Sequence, residues 1–347
     1  MTTSSATPAR HADQPVFDHL ERLTDNRGLF EHALGAVPRR EHGYCVDDAA
    51  RGLIVMCREP DPAASTLRLA RGYLSFVLAA LEPAGTCHNR MDVDGNWRDE
   101  AATGDWWGRA LWGLGVAAAT VPTTGLRAPA LAGFRTAAQG RSRHLRSMAF
   151  AALGAAELLR SQPGEMAARL LLADALAAIG EPPDGDRGWP WPEKRLSYAN
   201  ATIAEALIVA GDALPDVAAL NRGLSLLEFL LRIQTRDGHL SVTPVGGRGR
   251  EDVGPGYDQQ PIEVSALADA CASALRITHQ PSWRGGINLA WAWFLGDNDS
   301  ATPMFDPRTG GGFDGLERRG RNLNQGAEST LAMLATAQHA RRICEPG

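Results

Sequence analysis

No C-x-x-C pair occurs in this chain, and its five cysteines, Cys45, Cys57, Cys87, Cys271 and Cys344, are odd in number and widely spaced. That pattern supports neither a disulfide framework nor a zinc centre, so reduced thiols in a cytoplasmic protein are expected. Long apolar runs are also missing. The longest mostly apolar stretch, Leu111 to Val121, falls well short of the roughly 20 residues that span a bilayer. The first residues carry no apolar leader-like segment, and neither secretion nor a membrane partner is expected. A basic stripe is absent: the net charge is -5, which argues against nucleic acid as a partner. The small basic groups Arg141, Arg143 and Arg146, and Arg318, Arg319 and Arg321, read as solvated loop charges. No histidines stand at i, i+4, and the residues after Asp92-Val93-Asp94-Gly95-Asn96 lack the calcium-loop pattern, so no metal is expected. A P-loop and a strand-bound G-x-G-x-x-G are both absent, and no nucleotide or other cofactor is implied. Nothing resembles a long linker either. The expectation is one domain over 15–347 behind a flexible N-terminus, 1–14.

What the chain does have is helical periodicity. Of its 347 residues, 44% are hydrophobic, and they recur at i, i+3, i+4 and i+7. The spacing predicts twelve helices, at about 15–24, 47–58, 62–81, 105–120, 126–138, 144–161, 164–179, 199–213, 216–234, 259–277, 281–296 and 325–342. Short proline-marked turns such as Glu59-Pro60-Asp61-Pro62 and Leu214-Pro215 join them in pairs. Between pairs the connections are long (82–104, 180–199, 235–258, 296–324), and loops of that length in a compact domain are commonly functional. Short strands are expected only as ornaments, around 239–243 and 304–313. Alternate helices are rich in Ala on nearly every face, as in Ala266-Leu-Ala-Asp-Ala-Cys-Ala-Ser-Ala, and their partners are one-sided. An inner and an outer ring of six follow: an all-α fold, the (α/α)6 toroid, with an open helical solenoid as the alternative.

If the inner helices run parallel, their N-termini meet at one end of the ring. There the sequence gathers the carboxylates of Asp47, Asp48, Asp99, Glu100, Asp105, Glu193, Asp258, Glu263, Asp314 and Glu328. Aromatic faces from Tyr44, Trp106, Trp107, Trp189, Trp191, Tyr198 and Tyr257 join them. Flat rings beside hydrogen-bonding groups suit a sugar, whose C–H faces are apolar and whose rim is hydroxyl. Two carboxyls flanking a glycosidic bond suffice to hydrolyse it, although each acid here could equally cap its helix. Asp47-Asp48 is the sharpest pair: one residue would cap and position Arg51 while the other faces the cleft as base. Glu263, one turn into its helix, is the expected proton donor, because burial would raise its carboxyl. Asp105, Trp106, Arg109, Trp189, Trp191, Tyr198, Asn200, Tyr257, Gln259, Gln260, Asn324, Gln325 and Glu328, with Tyr44 and Arg51, are the expected sugar-binding residues. Two further readings stay open. His42 and His144 could move protons in a sugar epimerase, or the cleft could bind glycan without catalysis.

Four motifs carry a resemblance covering nearly the whole chain after about residue 15. Gly43-Tyr44-Cys45-Val46-Asp47-Asp48-Ala49-Ala50-Arg51, Leu196-Ser197-Tyr198-Ala199-Asn200-Ala201, Tyr257-Asp258-Gln259-Gln260-Pro261-Ile262-Glu263 and Asn322-Leu323-Asn324-Gln325-Gly326-Ala327-Glu328-Ser329-Thr330 resemble bacterial (α/α)6 proteins of the six-hairpin glycosidase type, found with mannose-glycan genes. Ala49 and Ala199 stand where more polar residues are expected in relatives. With its actinobacterial-looking composition, the chain is similar in particular to mycobacterial hydrolases that cut methylmannose polysaccharide. The resemblance implies a glycoside hydrolase acting on a mannose-type oligo- or polysaccharide, endo-acting on α-linked, methylated mannan in the narrowest form. An inverting two-carboxylate mechanism is expected.

Overall fold

The computed structural model describes residues 16–120, 124–180 and 188–344. The N-terminal segment expected to be flexible lies outside them. Twelve α-helices are present among the described residues: α1 (Asp18–Leu23), α2 (Val46–Arg58), α3 (Ala64–Ala79), α4 (Asp105–Thr120), α5 (Thr124–Ala137), α6 (Leu145–Ser161), α7 (Met166–Ile179), α8 (Asn200–Ala213), α9 (Val217–Gln234), α10 (Pro261–Thr278), α11 (Trp283–Phe294) and α12 (Ala327–Cys344). Each falls within a few residues of its expected position.

Helices α2, α4, α6, α8, α10 and α12 pack in sequence order and α12 returns to α2, which closes the inner ring. Helices α3, α5, α7, α9 and α11 back their predecessors, and α1 packs on α12, so the sixth hairpin joins the two ends of the described chain. The fold is an (α/α)6 toroid, not an open solenoid. Small residues bring inner neighbours together. A Cβ on Gly154 of α6 would stand 2.2 Å from the Leu111 carbonyl of α4, and one on Gly115 would stand 2.2 Å from the Gly154 carbonyl. The Ala- and Gly-rich composition thus has a steric cause: larger side chains would hold the backbones apart. Five two-stranded antiparallel pairs decorate the loops among the described residues, two of them (Thr235–Arg236 with His239–Leu240, Phe305–Asp306 with Gly311–Gly312) where ornaments were expected. No helix among the described residues is long and apolar enough to cross a membrane.

Polar groups are buried well below the loop-bearing end. Asp269 of α10 accepts from Arg58 at 2.6 Å and from His339 at 2.8 Å. Glu205 of α8 accepts from Ser273 at 2.7 Å, and its second carboxyl oxygen is buried without a hydrogen bond. Burial first, and then the Asp269 charge, push the Glu205 carboxyl well above its ordinary range; Arg58 opposes the shift and Glu157 adds to it. A carboxyl raised in the folded state contributes its stability below the unfolded pKa and loses it as pH rises through the folded value. Urea unfolding of the wild type should therefore show falling stability as pH rises from about 4.5 through neutrality, and Glu205→Gln should make that decline shallower. Parallel pH profiles for the two proteins would refute this origin.

Candidate active site

Cys45 ends a short strand pair with Arg90–Met91 and caps α2, its sulfur accepting from the Asp48 N–H at 3.5 Å. The cap is thus a thiol, not one of the two aspartates. Because residues 47 and 48 are consecutive on a helix, they point in different directions. The Asp48 side chain is 3% exposed and binds Arg51 Nη1 at 2.5 Å, while the Cys45 thiol donates to its other oxygen at 3.2 Å. Burial raises its carboxyl to about 6 even though Arg51 opposes the shift. Asp47 turns to the mouth, with its side chain 24% exposed and Oδ1 2.9 Å from Arg109 Nε. One aspartate therefore holds Arg51, and the other stands partly exposed beside Arg109.

Arg51 links the first and last inner helices, since its Nη2 holds Glu328 Oε2 at 2.5 Å. Buried Arg109 lies over the Phe150 ring, 4.0 Å from its centroid. Burial, and then the nearby Arg51 charge, lower its pKa; Asp47, Glu328 and Asp105 oppose that. Asp105 accepts from Ser147 at 2.8 Å and from the Tyr198 hydroxyl. Tyr198 is 42% exposed and stands in front of Arg146, whose guanidinium lies 4.8 Å from the ring centroid. A phenol ring held from behind by a cation and at its tip by a carboxylate is a fixed platform for a sugar face.

Arg146 corrects a sequence expectation. It is no solvated loop charge but is buried, gripping Glu193 through two 2.8 Å hydrogen bonds and donating to the Tyr198 carbonyl at 2.5 Å. An arginine in the first turn of a helix opposes the macrodipole, which was a signal that an acid partner awaited it.

Glu263 lies at the start of α10, buried against the start of α8. Its carboxylate accepts from the backbone N–H of Ala199, from Asn200 Nδ2 at 2.8 Å and from Asn200 N at 3.4 Å, and the residue is 4% exposed. It satisfies the orphan donors at the start of α8, where Ala199 is left-handed with φ 45°. Burial raises the carboxyl to about 7, as expected, although the Asn200 and Ala199 bonds oppose it. Even so, both its oxygens are engaged below the cleft surface.

Several expected sugar binders prove to be internal. Tyr44 is buried, stacked on Phe30 with its hydroxyl on Asp25 at 2.8 Å. Trp191 is buried against Glu193. Asn200 is enclosed between Arg146, the Ser197 N–H and Glu263. Gln259 is enclosed by Asp299, the Gly256 carbonyl, Trp293 and the Val242 N–H, and Gln325 is buried on Thr309. Trp106 and Trp189 are half-buried walls whose indole N–H groups already serve the Cys87 and Glu193 carbonyls. Asn324 accepts from the Gly35 N–H, which ties the last loop to the first. Half-buried Tyr257 carries the Arg318 guanidinium over its ring, and Gln260 precedes α10 with no side-chain capping bond. His144 is exposed ahead of α6, while His42 meets His32, which sequence reasoning missed, edge-on at 5.0 Å.

Glu31, Cys45 and Asp48 bring three possible metal ligands within 4.8 Å of one another. Arg51 already holds Asp48, Arg90 holds Glu31, and burial keeps the Cys45 thiol protonated, so each of the three is engaged by a protein partner or neutral. Wider cavities of about 350 and 300 Å3 open away from these acids, around Arg58, Glu157, Arg160 and Arg342. The acids there, Glu59, Glu157 and Asp269, are each held by an arginine.

No family model and no curated protein matches the sequence. Solved structures do match the fold. A sugar epimerase from a ruminal bacterium superposes with TM-score 0.69 at 13% identity, over 95% of this chain and 97% of that one. The cellobiose 2-epimerase of Bacillus thermoamylovorans B4167 gives 0.69 at 12%, over 94% and 96%. An inactive double-aspartate variant of a Salegentibacter α-1,6-mannanase, in complex with α-1,6-mannotetrose, gives 0.65 at 12%, over 94% and 98%. The architecture is that of six-hairpin glycosidases and sugar epimerases.

Proposed function

We propose that this chain is a glycoside hydrolase of mannose-type oligo- or polysaccharides. The observation that carries the reading is the division of labour at Asp47-Asp48. One carboxylate stands in the mouth against Arg109, and its neighbour is buried behind it as the anchor of Arg51. In support, the α-1,6-mannanase of the same fold is described as inactive when two consecutive aspartates are replaced, and it was captured with a mannotetrose. In this reading Asp47 is the base of an inverting reaction. Tyr198 is a platform for a sugar ring, and Arg51, Arg109 and Glu328 fix the polar floor. Methylated, α-linked mannan is the finer form of the proposal.

A second reading, sugar epimerisation, is favoured by the His32–His42 contact at the rim in place of the expected His42 and His144 pair. Incubation with α-1,6-mannotetraose separates the two. New reducing ends, released first as the β-anomer, are expected of the inverting hydrolase. An intact chain whose reducing sugar has changed configuration would replace hydrolysis with epimerisation.

A further inference from the structure

Two arginines of the inner ring keep donors that no described residue accepts. Arg109 of α4 is 3% exposed. Its Nε stands 2.9 Å from Asp47 Oδ1, yet the two are not aligned for a hydrogen bond and both atoms are buried without one. Among the described residues neither of its Nη groups has an acceptor, and its guanidinium lies 4.0 Å from the centroid of the Phe150 ring. Arg51 of α2 gives both Nη groups to Asp48 and Glu328, which leaves its Nε buried and unpaired. A charged donor left unmet in the interior is costly, so such groups point to a partner the chain itself does not supply.

Both arginines line one cavity of about 40 Å3, bounded by α2, α4, α10 and α12. Helices α4 and α10 are not neighbours in the ring, so a cavity that touches both lies at its axis. Its lining carries three arginines, Arg51, Arg58 and Arg109, and one acid, Asp269. That acid is already occupied, since its Oδ1 accepts from Arg58 at 2.6 Å and from His339 at 2.8 Å. The acids that pair with Arg51 and Arg109, namely Asp47, Asp48 and Glu328, do not line the cavity. Positive charge therefore prevails within it. A polar cavity of this size holds a few waters or one small ion. Water would meet the free N–H groups but would leave the repulsion between Arg51 and Arg109 as it is; an anion meets the first and relieves the second.

We propose that the axial cavity binds one small monovalent anion of the halide class, with Arg51 and Arg109 as its ligands. The rest of the lining narrows the class. Ile54, Val55, Trp112 and Ile262 are apolar walls, which suit a weakly hydrated halide better than a strongly hydrated phosphate. Arg58, two turns beyond Arg51 on α2, closes the far side through its bond to Asp269. The inference does not depend on the hydrolase reading, because binding to the folded chain is what carries it.

The test measures melting temperatures of the whole chain in sodium chloride and sodium bromide against sodium gluconate at one ionic strength, which holds screening constant. Both halides should raise the midpoint by a few degrees, and the rise should saturate, as binding to the folded state alone requires. Bromide soaked into crystals should give an anomalous peak between Arg51 and Arg109. Arg109→Gln should lose the halide dependence whatever its own midpoint, because each protein is compared with itself across the salts. If Arg109→Gln does not fold, Ala335→Leu fills the cavity from α12 without removing a charge and should lose the dependence likewise. A wild-type midpoint equal in halide and gluconate, water alone in the cavity of bromide-soaked crystals, or a halide effect that persists in these variants would overturn the inference.

Discussion

Asp47→Asn should lower turnover of an α-linked mannooligosaccharide by about 10³- to 10⁴-fold, the upper part of the range for a lost general base, with KM little changed. The amide keeps the size of the side chain and leaves the Asp48–Arg51–Glu328 chain intact, so folding is preserved. What disappears is the acceptor for the proton of the attacking water. Arg109 sharpens the expectation: with Asp47 Oδ1 2.9 Å from its Nε, it fixes where that carboxylate stands. Initial rates together with a thermal melt check this. A variant that folds and turns over normally would remove Asp47 from the reaction, and a lower melting temperature with proportionate loss would make it structural.

The largest effect on stability is expected from Arg51→Ala. Arg51 is buried between a carboxylate with 3% side-chain exposure and one with 39%. Removing it leaves Asp48 as an uncompensated buried charge, and breaking a buried pair in this way costs about 3–5 kcal/mol. The loss should depend on pH. Arg51 is what opposes the upward displacement of Asp48, whose carboxyl already stands at about 6, so without it the carboxyl rises further. A raised carboxyl keeps its contribution at low pH, where it is neutral in both states, and loses it as pH climbs. Urea midpoints at pH 5 and pH 8 should therefore show a smaller deficit at pH 5, and an equal deficit would mean that lost packing, not the stranded charge, dominates. Glu328, released from Nη2, should also swing free, so activity falls at both values.

Much of the fold was legible because helices advertise themselves locally. Ala-rich inner segments and one-sided outer ones follow from what each must pack against, and every expected helix is present. At the active end, legibility depended on distance along the chain. Asp48 and Arg51, one turn apart, could be paired from sequence. Arg146 could not be paired with Glu193, 47 residues on, although an arginine at a helix start hinted at a hidden partner. Aromatic residues misled more than acids did. Tyr44 and Trp191 carry polar tips that suit a sugar, but those tips bind Asp25 and Glu193, and composition does not distinguish a wall from a core.

By itself the sequence determined the (α/α)6 ring and the end at which acids and aromatics collect, because helical period, turn prolines and loop lengths are local properties. Only the tertiary structure decided which acids face the cleft. Arg51 meets Glu328 across 277 positions, and Glu263 meets Ala199 across 64. Whether a carboxyl is free, paired or buried depends on what the neighbouring inner helix, distant in sequence, places against it.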